Sequence, residues 1–132
     1  MTSFEQPLPL KKVEKSVRVI DGEETNDQIL EDQALWMNAK ETGPTVIIGY
    51  AHAGLINTLI HVQEIGNFKQ IHTLIGGTHL VDRTGQYFQQ TVSQLKKTGL
   101  KLISLCHCTG FTAISNLWHA FPKELILNYS GR

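Results

Sequence analysis

The chain has 132 residues, the length of a single domain that can bury its own hydrophobic core. Its 12 lysines and arginines balance 12 aspartates and glutamates, so there is no basic field to hold phosphates, which argues against a nucleic-acid partner. No apolar run approaches the roughly 18 residues that span a bilayer, and "MTSFEQPLPLKK" lacks the apolar centre of a signal peptide. We therefore expect a soluble, cytoplasmic protein with no membrane partner.

Residues 1–32 show little periodicity and predict an extended or irregular N-terminal segment. Prolines at positions 7 and 9 remove two backbone donors, and "SVRVI" is compatible with one short strand. Half of the acidic residues fall within 12 positions after that strand, which predicts a solvated stretch. They are Asp21, Glu23, Glu24, Asp27, Glu31 and Asp32. We place the start of the α/β domain at residue 33, so that it covers residues 33–132.

From residue 33 the pattern predicts a strand, a turn and a strand, and then alternating helices and strands. The first two strands are "QALWMNA" and "TVIIGY", separated by a turn that contains Gly43 and Pro44. Helices are predicted over 54–66, 85–99 and 111–121, with strands over 70–76, 100–106 and 124–129. Short apolar strands joined by helical crossovers indicate an α/β fold with a mostly parallel sheet between helix layers. No Gly-x-Gly-x-x-Gly motif follows any of these strands, which disfavours a dinucleotide-binding domain.

Three of the six histidines occupy equivalent places in this pattern. His52, His79 and His107 each lie in a glycine-containing loop directly after a predicted strand. If the strands are neighbours in a parallel sheet, their carboxyl ends bring the three imidazoles to one edge. Imidazole is the commonest protein ligand of zinc, and three such ligands are typical of catalytic sites. We predict a divalent-metal site here, for zinc or alternatively iron or manganese. His61, His72 and His119 fall inside predicted elements, so we interpret them as structural or surface residues.

The two cysteines lie on either side of His107 in "CHCTG". Cys106 belongs to the predicted strand and reads as a small core side chain, with both thiols reduced. For Cys108 three roles stay open: a metal-binding thiolate, a nucleophile with His79 or His107 as base, or a packed thiol. A helix that begins near Thr109 would offer free backbone donors to a phosphate or carboxylate. We therefore name Cys108, Thr109 and Gly110 as candidate substrate-binding residues.

Three spaced motifs carry a family resemblance. "EDQALWMNAKETGPTVIIGYAHAGLINTL", "IGGTHLVD" and "CHCTGFTAI" occur in this order, and residues 28–132 resemble the C-terminal half of metallo-β-lactamase-fold hydrolases. Within that fold the motifs resemble the branch of dihydropterin-ribofuranosylaminobenzene-phosphate synthase-like proteins. The resemblance implies an αββα sandwich with a metal site at the edge of its two sheets.

The resemblance also implies roles for individual residues. His52 and His107 match ligand positions of the family, and His79 stands near the place where many relatives have a bridging aspartate. Asp32 and Gln33 match the family's Asp-Gln-Ala-Leu segment, without an assigned role. Tyr50 and Ala51 replace the cysteine and serine that usually precede the first of these histidines.

One signature of the family is missing from the sequence. The N-terminal half of the fold carries a His-x-His-x-Asp-His motif, and no His-x-His occurs in this chain. The three histidines, with Cys108 or Asp82, are too few for a binuclear centre. A sheet without its partner also exposes apolar surface, so we expect a homodimer, a separate N-terminal half, or a truncated domain. The expected function is a metal-dependent hydrolase that attacks a small-molecule ester or phosphoester with a metal-bound water. The alternative is a non-catalytic half-domain for assembly or for metal or ligand binding.

Overall fold

The computed structural model describes residues 16–27, 32–81, 83 and 85–128. In the first of these ranges, β1 (Ser16–Ile20) pairs antiparallel with β2 (Glu23–Asp27) to form a hairpin. The strand predicted over "SVRVI" is therefore confirmed as β1. The remainder of the predicted N-terminal segment, apart from residue 32, lies outside the described residues, and the boundary at residue 33 stays a prediction.

The remaining strands form one five-stranded sheet in chain order, with the first pair antiparallel and the other pairs parallel. The strands are β3 (Ala34–Ala39), β4 (Gly43–Ile48), β5 (Thr73–Gly77), β6 (Leu102–Cys106) and β7 (Leu125–Leu127). The connecting helices are α1 (Leu55–Gly66), α2 (Gly85–Lys97) and α3 (Phe111–Ala120), and a 3-10 turn spans His107–Thr109. This arrangement confirms the predicted α/β fold with its mostly parallel sheet.

Several element boundaries differ from the sequence prediction by one to three residues, although α1 ends at Gly66 as predicted. The residue after it, Asn67, caps the helix with left-handed backbone (φ 53°). Asparagine tolerates this conformation because its short polar side chain can bond locally. His72 lies just before β5 rather than inside it, and its Nδ1 is 2.9 Å from the hydroxyl oxygen of Thr73. His61 and His119 lie in helices, as predicted.

The core lies between one face of the sheet and the three helices. Val46, Leu74, Ile103 and Leu125 are register partners across β4 to β7, and all four are buried. Leu55, Leu59, Leu95 and Leu117 from the helices complete this cluster. Trp36 extends the row onto β3, and its ring meets Phe68 edge-on with centroids 5.4 Å apart. Burial of this apolar row fixes which face of each strand points toward the helices.

The opposite face of the sheet carries a second apolar row. Leu35, Ile47 and Ile75 are register partners on this face, and Ser104 of β6 links Ile75 to Ile126. Leu35 is 60% exposed. Because the parallel strands follow one another in chain order, right-handed crossovers place all three helices on the same side. The expectation of helix layers on both sides is therefore wrong for the part of the chain that the structure describes.

One glycine determines how closely β4 and β5 approach at the edge of the sheet where the histidine loops begin. Gly76 has φ 120°, and a Cβ atom there would lie only 1.9 Å from the carbonyl oxygen of Ile48. Only glycine fits this backbone conformation and this spacing. The loops that follow the two strands consequently start side by side.

Candidate metal centre at the sheet edge

The loops after β4, β5 and β6 bring the predicted histidines to one edge of the sheet. The rings of His52 and His79 meet edge-on with centroids 4.6 Å apart. The ring of Tyr50 contacts both His52 and His107, with centroid distances of 5.0 and 4.9 Å. The predicted convergence of the three loops is therefore confirmed, and Tyr50 is a member of the cluster that the sequence pattern did not single out.

Each of these loops contains a residue in the left-handed region of backbone space that is not glycine. Ala51 has φ 58°, His79 has φ 49° and His107 has φ 52°. Such conformations cost free energy in residues with a Cβ atom, and they persist where surrounding contacts hold them. The contacts that hold these loops come from Asp32, Cys108 and Thr109.

The carboxylate of Asp32 binds the loop that carries His52. Its Oδ1 accepts a hydrogen bond from the backbone N–H of Ala51 at 3.1 Å, and its Oδ2 accepts one from Ala53 at 2.9 Å. The carbonyl of Gln33 accepts a third hydrogen bond, from the N–H of Gly49 at 3.2 Å. The segment before β3 therefore fixes the backbone on both sides of His52.

The thiol of Cys108 lies between the other two loops. Its sulfur accepts a hydrogen bond from the N–H of His79 at 3.3 Å, and its S–H points to the carbonyl of Tyr50 at 3.6 Å. A Cβ atom at Gly77 would come within 2.7 Å of this sulfur, so the glycine leaves the space that the thiol fills. Burial raises the pKa of the Cys108 thiol, more than the hydrogen bond from His79 lowers it. The thiol is thus protonated at neutral pH, which disfavours the nucleophile among its three candidate roles.

Thr109 and Gly110, which follow His107 in the chain, contact the loop after β5. The Thr109 hydroxyl is fully buried and accepts hydrogen bonds from the N–H and the hydroxyl of Thr78, at 3.2 and 3.0 Å. Gly110 packs against Val81, where a Cβ atom would lie 3.1 Å away. The helix expected to begin near Thr109 is a 3-10 turn followed by α3 from Phe111. Substrate binding by Cys108, Thr109 and Gly110 stays a prediction.

The histidine pair fits part of a metal site. Nδ1 of His52 is buried and has no hydrogen-bond partner among the described residues, and buried ring nitrogens are normally bonded to a partner or to a metal. The imidazole of His79 meets this ring edge-on, with centroids 4.6 Å apart. Within the described ranges, however, no group of three or more His, Cys, Asp or Glu side chains is arranged to hold an ion. A complete ligand set would need residues other than this histidine pair. Asp82, the acidic residue predicted as a candidate ligand, lies outside the described residues.

Cys106 and Cys108 are both free thiols, as expected. The expectation that Cys106 belongs to the core is wrong, because it is only partly buried and lies on the opposite face of β6 from the core residues Ile103 and Leu105. His119 is exposed in the last turn of α3. None of the described helices is both long and apolar enough to cross a membrane.

Two comparisons confirm the resemblance of this mostly parallel sheet, with its histidine loops at one edge, to the metallo-β-lactamase fold. A solved structure of a metal-dependent hydrolase of the β-lactamase superfamily superposes with a TM-score of 0.78 and 28% identity over 88% of this chain. The 7,8-dihydropterin-6-methyl-4-(β-D-ribofuranosyl)-aminobenzene-5'-phosphate synthase of Methanocaldococcus jannaschii is 28% identical over 125 residues, 95% of this chain. No protein-family model matches. The chain spans only 44% of the hydrolase and 40% of the synthase.

Proposed function

We propose that this chain is one part of a metal-dependent hydrolase of the metallo-β-lactamase superfamily, acting on a small-molecule ester or phosphoester. The observation that carries the proposal is the contact between the imidazoles of His52 and His79 at the carboxyl edge of the sheet, with ring centroids 4.6 Å apart. Ligand sites of parallel sheets lie at this edge. The solved structure to which this chain is similar is that of a metal-dependent hydrolase, which supports the same class of reaction.

In this proposal His52 and His79 hold a divalent metal, for which zinc is the first choice and iron or manganese the others. The metal would supply a water of lowered pKa and would stabilise charge that develops on the substrate. The side chain of Tyr50 is half-exposed and contacts His52 and His107, so it limits the directions from which a substrate can approach. The exposed imidazole of His107 is available as a further ligand or as a substrate contact.

The rest of the site would come from residues outside this sequence, on another half of the fold or on a second chain. The chain spans less than half the length of the two relatives it matches, and the sheet face with Leu35 and Met37 is exposed by 60% and 49% at these residues. We propose a second copy of the chain as the occupant of this face. A formal net charge of zero imposes no electrostatic cost on self-association, and burial of an apolar sheet face favours it. A separate N-terminal half is the other possible source of the missing ligands.

A second candidate function is favoured by one specific observation. No group of three or more ligating side chains is arranged to hold a metal in the parts of the chain that the structure describes. A half-domain with this arrangement could serve in assembly or in metal or ligand binding without performing catalysis. The two candidates differ in whether the chain holds a stoichiometric metal that depends on the histidine pair.

The test is the metal content per chain, by elemental analysis of protein purified without added metal, together with its mass in solution. If the proposal is correct, metal will be near-stoichiometric, and the His52→Ala and His79→Ala variants will lose most of it. The His119→Ala variant is the control, because this histidine is exposed in the last turn of α3 and lies in none of the three loops at the sheet edge. A folded, metal-free wild-type protein would contradict the hydrolase and support the non-catalytic half-domain. A monomeric mass would point to the separate half instead of the second copy.

A further inference from the structure

We infer that Asp32 is a positioning residue, whose carboxylate sets the orientation of the His52 imidazole toward His79. This inference rests on the proposed function for its consequence, since orientation matters there through metal binding. The inference rests on two hydrogen bonds that involve neither imidazole. The carboxylate oxygens of Asp32 accept them from the backbone N–H groups of Ala51 and Ala53, the residues on either side of His52.

The arrangement of the two hydrogen bonds constrains the loop more than one bond would. Oδ1 binds the N–H of Ala51 and Oδ2 binds the N–H of Ala53, at 3.1 and 2.9 Å, so the carboxylate spans His52 from one side to the other. Hydrogen bonds to an ionised acceptor are stronger than those between neutral groups. Asp32 is half-buried and lies 19 and 21 positions before its partners. It therefore ties the start of β3 to the loop that leaves β4.

The backbone of Ala51 explains why the loop needs this support. Ala51 has φ 58° and is almost completely buried, at 2% exposure. A left-handed conformation is unfavourable for alanine, and a buried backbone N–H must be paired. The bond from Ala51 to Oδ1 satisfies that N–H and holds the unfavourable conformation in place. A further bond, from the N–H of Gly54 to the carbonyl of Ala51 at 3.0 Å, completes the turn.

This backbone conformation determines where the imidazole points. The ring of His52 contacts Tyr50 and His79, and its Nδ1 is buried without a hydrogen-bond partner among the described residues. Because no described group bonds this nitrogen, the orientation of the ring depends on the backbone that carries it and on these two ring contacts. Loss of the Asp32 carboxylate should therefore let the loop relax and move the His52 ring away from His79.

The first experiment measures the loop directly, by amide hydrogen exchange and NMR on the full chain. In Asp32→Ala, the exchange rates of the Ala51 and Ala53 amides are expected to rise roughly tenfold to a hundredfold, as for the loss of charge-assisted hydrogen bonds. Asp32→Asn keeps the shape and one acceptor, so only one of the two amides should lose protection. This second variant also serves if Asp32→Ala does not fold. Glu64→Ala, which removes an exposed carboxylate on α1, is the matched control and should change neither rate. Unchanged rates at both amides in the Asp32 variants would overturn the inference.

A second readout separates positioning from simple stabilisation. Proton–proton cross-relaxation between the His52 and His79 rings should be strong in the wild type and at least severalfold weaker in the Asp32 variants. If amide exchange accelerates while the ring contact keeps its wild-type strength, Asp32 only stabilises the loop and the inference fails. The ring contact also makes the result independent of the proposed function. A wild-type chain that does not bind added Zn²⁺ would remove the proposed function, and the inference would still be decided by the two rings.

Discussion

The thiol of Cys108 shows how a single side chain can link two loops of the candidate site. It contacts the N–H of His79 and the carbonyl of Tyr50, and it fills space that Gly77 leaves open. The sequence pattern allowed a ligand, a nucleophile or a packed thiol at this position. The structure favours the packed thiol, because both of its polar contacts are made with backbone groups of its own chain.

The raised pKa of Cys108 predicts its reactivity toward iodoacetamide. In a Cys106→Ser background Cys108 is the only thiol, and burial keeps its thiolate fraction at pH 8 below that of an exposed cysteine. We expect alkylation to be slow at pH 7 to 8 and to accelerate as pH rises above the ordinary range of thiols. The measurement is the second-order rate at several pH values, followed by mass spectrometry, with the denatured variant as reference. Fast alkylation that is independent of pH near neutrality would contradict the packed thiol and revive the nucleophile.

Individual roles in the site were only partly predictable from the sequence. His52, His79 and His107 could be placed at one edge because each follows a strand, and strand ends in a parallel sheet meet. The role of Asp32 could not be predicted, since its partners are backbone N–H groups that carry no sequence signal. Its place in a segment shared with relatives was the only indication that it mattered. Tyr50 was noticed only as a departure from the family pattern, and its ring contacts depend on the packing of all three loops.

At Gly76 on β5, even a small substitution should lower the free energy of unfolding considerably. Gly76→Ala would place a Cβ atom 1.9 Å from the Ile48 carbonyl oxygen, at a φ of 120° that alanine does not readily adopt. We expect the free energy of unfolding to fall by about 3 kcal/mol or more. The measurement is urea denaturation followed by circular dichroism.

Gly49→Ala is the control for this experiment. A Cβ atom at Gly49 would make only an ordinary contact, 3.7 Å from the carbonyl oxygen of Gln33. The expected change is within about 1 kcal/mol. Equal losses in the two variants would show that the close approach of β4 and β5 is not what limits substitution at Gly76.

The elements themselves were largely predictable, for a physical reason. Most apolar runs are short and have a glycine or proline at or near one end, so strands and helices could be told apart by length and spacing alone. The boundaries that differ do so by a few residues at strand and helix ends. That of β5, at His72, involves a side-chain hydrogen bond to Thr73 that periodicity does not report. The antiparallel placement of β3 at the edge of the sheet follows from its short turn to β4, which is too short for a crossover.

The sequence pattern did not determine how the helices and the sheet are layered. Alternating strands and helices are compatible with helices on one side of a sheet or on both. The strand order decides between them, and strand order is set by long-range packing that periodicity does not report. This order leaves the sheet face with Leu35 and Met37 without a helix among the described residues, and these two exposed side chains are the basis for proposing a second copy as partner.

The proposed association through this face predicts that charge on the exposed row separates the copies without unfolding them. Leu35→Glu and Met37→Glu each place a carboxylate on a face that is 60% or 49% exposed at these positions in the single chain. In an assembly the charge would be buried and unpaired, which costs several kcal/mol, whereas in a monomer it would remain in water. Ile65→Glu is the matched control, because Ile65 is 62% exposed on α1, away from the sheet face. We expect light scattering to give the mass of one chain for both sheet variants and of two chains for the wild type and the control, with similar thermal unfolding in all four. A wild-type dimer that persists in both sheet variants would show that the copies meet elsewhere.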